Sequence, residues 1–354
     1  MQSDLLILPA TLPSPDTVQR EMATSTKQRE FIASARLKIA EILNGNDQRL
    51  LLVVGPCSIH DYDSTMEYAQ KLQALSDKVS DHFFVIMRTF FDKARSTVGW
   101  QGYASDPYLN GSEDLGTGIN LTRKLLLSLA ELGVPTAAEI LNPISILYFN
   151  DLLSWGCIGA RTTESQTHRQ IASSLPLPIA FKNNTAGNIG AAINGVIAAS
   201  SPHNFMGINN LGQVSTICSE GNPLAHIVLR GSENDTNYDP KSVQHALNKL
   251  CMAKLPKRLM IDCSHGNSNR QHEQQPKVFN EVIAQILSGN KHIRGLCLES
   301  HLNPGNQPIP SCLTMLKYGI SITDPCMGWE ETENLIYTSC KLLKKNRIFD
   351  AALF

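Results

Sequence analysis

Short apolar, β-branched runs recur along this chain from residue 50 onward, at 51–54, 83–88, 135–140, 157–161, 179–182, 204–208, 259–262 and 293–299. They are apolar on both faces, the pattern of parallel strands covered on either side. Amphipathic stretches such as LTRKLLLSLAEL (121–132) separate most of them, so the apolar period alternates between strand-like and helix-like along the chain. Eight βα-type units predict an α/β protein built as a (β/α)8 TIM barrel. A doubly wound open sheet is the arrangement that the pattern alone leaves open. A further extended segment at 226–230 follows the sixth run and reads as part of an inserted β-hairpin.

Ahead of the first run, Ser25-Thr26-Lys27-Gln28 has the form of a capping box. Ile32, Ala35, Ile39 and Ile42 give the helix it opens one apolar face, and Asn44-Gly45 stops it. The first 20 residues read as an irregular, Pro-interrupted arm. The expected division is therefore an N-terminal extension at 1–48, arm plus helix, and a catalytic barrel at 49–354. A chain of 354 residues is within the size range of a single barrel.

Composition removes several classes of function. The formal net charge of −1 gives no global field to recruit nucleic acid or an anionic membrane. No apolar run approaches the 18 residues of a membrane span. The opening MQSDLLILPATLPSP is acidic and Pro-interrupted where a signal peptide is basic and apolar. Nine cysteines, odd in number and without a CxxC pair, predict reduced thiols in a cytoplasmic compartment.

Charged or metal-capable residues fall at or just after the ends of the apolar runs: Cys57, Arg88, Glu139, Arg161, Lys182, His265 and Glu299, with Arg230 ending the extra segment in the same way. In a barrel all strands point their C-terminal ends at one face, so these side chains converge there. They sort into two sets. Arg88, Lys93, Arg95, Arg161, Lys182 and Arg230 are cations that repel one another unless an anion binds, and the planar fork of arginine suits phosphate and carboxylate. Cys57, His265, Glu299 and Asp324 offer a thiol, an imidazole and two carboxylates, a donor set for Mn, Fe, Co or Zn rather than Mg or Ca. Cys57 as a nucleophile is the rival reading, although no local base marks it, and His60 reads as a turn or helix-start residue. From the residues alone the site is a metal together with phosphates.

GPCSIHD (55–61), DKARSTVGW (92–100), GARTTESQTHR (159–169), FKNNT (181–185), IVLRG (227–231), MIDCSHGNSN (260–269), LESHLNPGNQ (298–307) and SITDPCMGWE (321–330) resemble, in order, the motifs of the type I 3-deoxy-arabino-heptulosonate-7-phosphate (DAHP) synthases. The likeness spans about residues 25 to 347. It implies a barrel with an N-terminal extension, assembled as a homodimer or homotetramer, that condenses phosphoenolpyruvate with erythrose 4-phosphate at the head of the shikimate pathway. It implies Cys57, His265, Glu299 and Asp324 as ligands of a divalent metal, and Arg88, Lys93, Arg161, Lys182 and Arg230 as the phosphoenolpyruvate pocket. Arg95 and Ser96 fall where the family holds the aldose phosphate. Lys93, beside the metal, is the expected proton donor, Glu139 or the metal site the group that activates water at C2, and His265 a catalytic as well as a ligating residue.

Several positions depart from the pattern. Lys93-Ala94-Arg95-Ser96 stands where the family usually has Lys-Pro-Arg-Thr, and Asn184 and Ala186 replace a glycine and an aspartate. Ser232 replaces a glycine, and Asn209-Asn210 stands where members often carry Thr-Lys. Drift in an active synthase is one explanation. A paralogue with another aldehyde, or a low-activity regulatory homologue, is the alternative. A Schiff-base sugar aldolase fits less well, since it has no use for four metal-capable residues. Many members bind an inhibitory aromatic amino acid near the segment after the third strand. There Asn142, Ile146 and Leu147 replace Asp, Pro and Gln, so inhibition by phenylalanine or tyrosine is expected to be altered or absent. Cys326, two residues past Asp324, is expected to lie near Cys57, where oxidation would pair them.

Overall fold

Ser14 caps a first helix, α1 (Pro15–Glu21), that runs through what the sequence reads as an arm. Proline at the first helical position starts a helix as readily as it breaks one, because its missing N–H is unpaired there anyway. The computed structural model describes residues 11–351; the first ten residues of the expected arm, and 352–354, lie outside them. Helix α2 (Thr26–Asn44) begins at the predicted capping box, with both reciprocal Ser25 and Gln28 bonds made, and ends at Gly45 in the left-handed region. Its Ile39, Ile42 and Leu43 are buried among side chains from inside the barrel, including Leu51, Val53 and Trp155. This helix closes the N-terminal mouth.

The chain then alternates: β1 (Leu50–Gly55), α3 (Tyr62–Val79), β2 (Phe83–Arg88), α4 (Leu115–Leu132), β3 (Thr136–Glu139), β4 (Trp155–Ile158), α5 (Gln166–Ser174), β5 (Ile179–Lys182) and α6 (Ile189–Ala199). Next come β6 (His203–Ile208), β7 (Val214–Ser219), β8 (His226–Leu229), α7 (Pro240–Met252), β9 (Leu259–Asp262), α8 (Gln275–Leu287), β10 (Ile293–Glu299) and α9 (Trp329–Ala351). Eight strands close a barrel in the order β1-β10-β9-β8-β5-β4-β3-β2, all pairings parallel. The link from β3 to β4 is two 3-10 turns, Ser145–Tyr148 and Asn150–Leu152, in place of a helix.

The barrel expectation holds, with one exchange of parts. The run at 204–208 is not a barrel strand: β6 pairs antiparallel with β7 in a separate hairpin, turned at Asn209 to Gly212. The segment at 226–230, read as hairpin, supplies β8, which pairs with β5 and β9. Burial explains the exchange. Strand β8 is buried at every position, whereas β6 and β7 alternate between half-buried and exposed residues as a ribbon with one wet face does.

Strand alternation also sets which residues reach the site. Inside the barrel Leu51, Val53, Ile86, Ala137, Trp155, Cys157, Ala180, Val228, Met260 and Cys297 form one cluster. Their neighbours Leu50, Leu52 and Val54 pack outward against the helices. Continuing the inward parity by two residues at the strand tops arrives at Arg88, Glu139, Lys182, Arg230, Asp262 and Glu299. A ring of charge therefore stands on an apolar column.

Candidate active site

Cys57 follows β1 on the turn Gly55-Pro56-Cys57 and is fully buried. Glu299 ends β10, and Asp324 comes from the loop beyond it. That loop is tied down beside β1, because Ser58 Oγ and Thr323 Oγ1 lie 2.8 Å apart and the Cys57 N–H donates to Cys326 Sγ at 3.3 Å. One ligand atom each from Cys57, Glu299 and Asp324 lies within 4.8 Å of the other two. His265 stands at the edge of this triad, its Nε2 3.6 Å from Glu299 Oε1. It occupies the left-handed region at φ 56°, an uncommon conformation for a non-glycine residue. A soft thiol with two carboxylates and an imidazole at its rim fits a divalent transition metal.

Lys93 reaches over the triad, donating to Cys57 Sγ at 2.7 Å and lying 3.6 Å from Asp324 Oδ2. Burial works against its charge, but Cys57, Asp324 and Glu299 together raise it above the ordinary lysine value, so it stays an ammonium. Burial, with Glu299 adding to it, pushes the Cys57 thiol up to about 11 against the opposing pull of Lys93. Asp324 is held down at about 2: burial opposes this, and Lys93 and then His265 overcome it.

Arg88 joins the two sets. Its guanidinium donates to Glu299 Oε1 at 2.8 Å and to the carbonyls of Pro56 and Cys57, while stacking 3.6 Å from the Phe90 ring centroid. Lys182 lies over the same ring at 5.9 Å and donates to Asp262 Oδ2 at 2.9 Å. Arg161 is exposed and donates to Ser96 Oγ at 3.0 Å, bringing an expected phosphoenolpyruvate residue against an expected aldose residue. Arg95 turns back to the Trp100 carbonyl. Arg88 and Lys182 each pair with a carboxylate, whereas among the described residues none lies within ion-pair distance of Arg230. Burial disfavours its charge, Asp262 offsets part of that, and Arg270 and Arg161 add to the lowering. Glu139 sits over Gly159 so closely that a side chain there would meet its carboxylate.

Sequence reading missed three features. Asp262 is buried between Lys182 and His265, and Phe90 is the platform under two cations. Asn183, Asn237 and Asn267 stitch the tops of β5, β8 and β9 together. Asn183 Oδ1 accepts from the Arg230 N–H, Asn237 Oδ1 from the Gly231 N–H, and Asn267 donates to the Asp262 carbonyl. Gly231, at φ 71°, packs so close to Gly266 that an added Cβ would lie 2.5 Å from its backbone carbon. Asp262 ends an apolar run as Arg88 and Glu299 do, and that signal was sufficient to find it.

The departing residues serve local backbone. Asn184 does not take a positive φ; it accepts from the Asn188 N–H and donates to Glu164. The Ser232 hydroxyl accepts from the backbone of Asn234 and Asp235, and Asn209 caps the hairpin turn.

Residues 21–336 match the family model described as the DAHP synthetase I family. The Tyr-sensitive phospho-2-dehydro-3-deoxyheptonate aldolase of Escherichia coli K12 is 46% identical over 325 residues, 92% of this chain and 91% of that protein. The tyrosine-inhibited enzyme of Schizosaccharomyces pombe is 42% identical over 344 residues, 96% and 91% of the two chains. A solved structure of the phospho-2-dehydro-3-deoxyheptonate aldolase from Francisella tularensis SCHU S4 superposes with a TM-score of 0.92 at 37% identity, covering 95% of this chain and 98% of that one.

Proposed function

This chain belongs to the DAHP synthetase I family, and from that premise we infer what its site does. The protein is a metal-dependent DAHP synthase (3-deoxy-7-phosphoheptulonate synthase). It joins phosphoenolpyruvate to erythrose 4-phosphate and releases phosphate, the first step of the shikimate pathway. In our reading Cys57, His265, Glu299 and Asp324 hold the ion, which is Mn, Fe, Co or Zn, and the chain works as a homodimer or homotetramer in the cytoplasm. Among the described residues no helix is long and apolar enough to cross a membrane.

Buried Arg230, without a carboxylate partner and flanked in charge by Arg161 and Arg270, is the observation that carries this reading. A buried arginine with no ion-paired carboxylate, set at the barrel mouth in charge range of Arg161 and Arg270, is a site for an anion from outside the chain. Phosphoenolpyruvate supplies two anionic groups, which Arg88, Lys93, Arg161, Lys182 and Arg230 share, while Arg95 and Ser96 take the phosphate of the aldose. A bound divalent ion supplies Lewis-acid polarisation of the aldehyde. As C3 of phosphoenolpyruvate bonds to the aldehyde carbon, the Lys93 ammonium gives a proton to the aldehyde oxygen, which becomes a hydroxyl. Water adds at C2 with its proton passing to Glu139. The C2–O bond to phosphate then breaks as the C2 hydroxyl gives its proton to the departing phosphate, leaving a ketone and hydrogen phosphate. The alternative, another aldehyde or a regulatory role, gains no support from Asn184, Ser232 and Asn209, whose side chains are engaged by backbone.

The test is an assay of metal-stripped protein with both substrates, following loss of phosphoenolpyruvate absorbance before and after manganese is added. Turnover that appears with the metal is expected. Folded, manganese-loaded protein that binds phosphoenolpyruvate without consuming it would overturn the reading in favour of another aldehyde or a regulatory role.

A further inference from the structure

The two sets of charged residues meet at one buried atom. Asp262 Oδ2 lies 2.9 Å from Lys182 Nζ and 3.0 Å from His265 Nδ1. Its other oxygen accepts from the Ser264 N–H at 3.1 Å and from the Ser264 hydroxyl at 2.6 Å. That hydroxyl also lies 2.7 Å from His265 Nδ1. With Nδ1 held between a carboxylate and a hydroxyl that already donates, the imidazole carries its proton there and presents Nε2 toward Glu299. Asp262 is itself fully buried and its carbonyl is held by Asn267, so the carboxylate has little freedom to move. Among the described residues neither Lys182 nor His265 has another carboxylate as close.

We propose that Asp262 is a positioning residue of the synthase, one buried carboxylate that anchors both the metal-ligating imidazole and a phosphoenolpyruvate-binding ammonium. The proposal rests on the functional reading above. It makes ion and substrate sites mechanically one unit, because a shift of Asp262 moves His265 and Lys182 together.

Charge alone and positioning predict opposite signs for the substrate. Removing a carboxylate from an anion pocket strengthens anion binding if Asp262 acts only through its charge. If it positions Lys182, its removal weakens anion binding, because the ammonium loses its tether. Asp262→Ala removes charge and acceptor together; Asp262→Asn keeps the shape and one acceptor oxygen. Binding of manganese and of phosphoenolpyruvate is measured by calorimetry on the full chain, without turnover. In the Ala variant the manganese dissociation constant should rise roughly 10- to 100-fold, the usual cost of losing a carboxylate behind a ligating histidine. Phosphoenolpyruvate should bind more weakly than to wild type, with Asn intermediate. Phosphoenolpyruvate bound as tightly as in wild type, or tighter, by either folded variant overturns the proposal. If the Ala variant does not fold, the Asn variant decides by the same criterion. Failure of the synthase assay in wild type would sink the functional reading, whereas the Asp262 proposal is judged on these binding constants alone.

Discussion

Asp92, next to the expected proton donor Lys93, is buried and accepts one bond from the Ser145 hydroxyl at 3.0 Å. Burial, with a smaller push from Glu139, raises its carboxyl from the ordinary 3.8 to about 6 against the effect of Ser145. The native state thus keeps this proton up to about pH 6, while the unfolded chain releases it near 3.8. The contribution to stability is fully present below 3.8 and is lost as pH rises through 6. At roughly 1.4 kcal/mol per pH unit, the difference between the two values is about 3 kcal/mol of destabilisation at pH 7.5. At pH 5 the native acid is still protonated and about half of that cost applies. Asp92→Asn keeps the shape and the acceptor for Ser145 and removes the charge. We expect it to stabilise the protein by about 3 kcal/mol at pH 7.5 and by roughly half as much at pH 5. Urea unfolding of both proteins at the two pH values measures this. A variant no more stable than wild type at pH 7.5, or one with the same gain at both pH values, would refute the reasoning.

Two further predictions concern inhibition and oxidation. A cavity of about 1110 Å³ lies between α4, the turn after β3 and the β6–β7 hairpin, lined mainly by apolar residues such as Leu147, Ile171 and Phe205. Among the described residues its charged groups are Asp92 and Lys93, and Lys93 is engaged by Cys57, so among them the carboxylate of a free amino acid finds no spare cation there. Saturating phenylalanine or tyrosine should leave turnover unchanged; strong inhibition by either defeats the expectation. Cys57 and Cys326 are in contact through the Cys57 N–H, so peroxide should convert the two thiols of metal-free protein to a disulfide and water. Peptide mapping by mass spectrometry that finds no Cys57–Cys326 link counts against this.

The barrel was legible because most of its strands are buried on both faces and so break a helical rhythm with short apolar runs. The exchange of 204–208 with 226–229 shows the limit of that signal. Both segments are short and largely apolar, and only the partner strands decide which of them is buried. The start of β4 at Trp155, two residues before the predicted run, rests on a contact no local pattern contains. Its indole donates to His226 Nε2 at 3.2 Å, 71 residues away in the chain. In the site, the residues at the strand ends were readable one by one. Their pairing was not, since ion pairs such as Arg88 with Glu299 and Lys182 with Asp262 depend on inward parity at neighbouring strand tops. Asp262 went unread because His265, three residues on, carried the more obvious chemistry.

The contact between Cys57 and Asp324 spans 267 residues of chain, and the barrel's last seam joins β1 to β10. Synthesis at about 5–20 residues per second puts roughly 10–50 s between the appearance of the thiol and that of its carboxylate partner. During that interval β1 has β2 beside it and an open edge on the other side. On the proposed ligand set, an ion that needs Cys57 together with Glu299 and Asp324 has no complete site in that interval. Cys57 of the nascent chain therefore lacks its Asp324 and Glu299 neighbours until the final quarter of the chain has emerged.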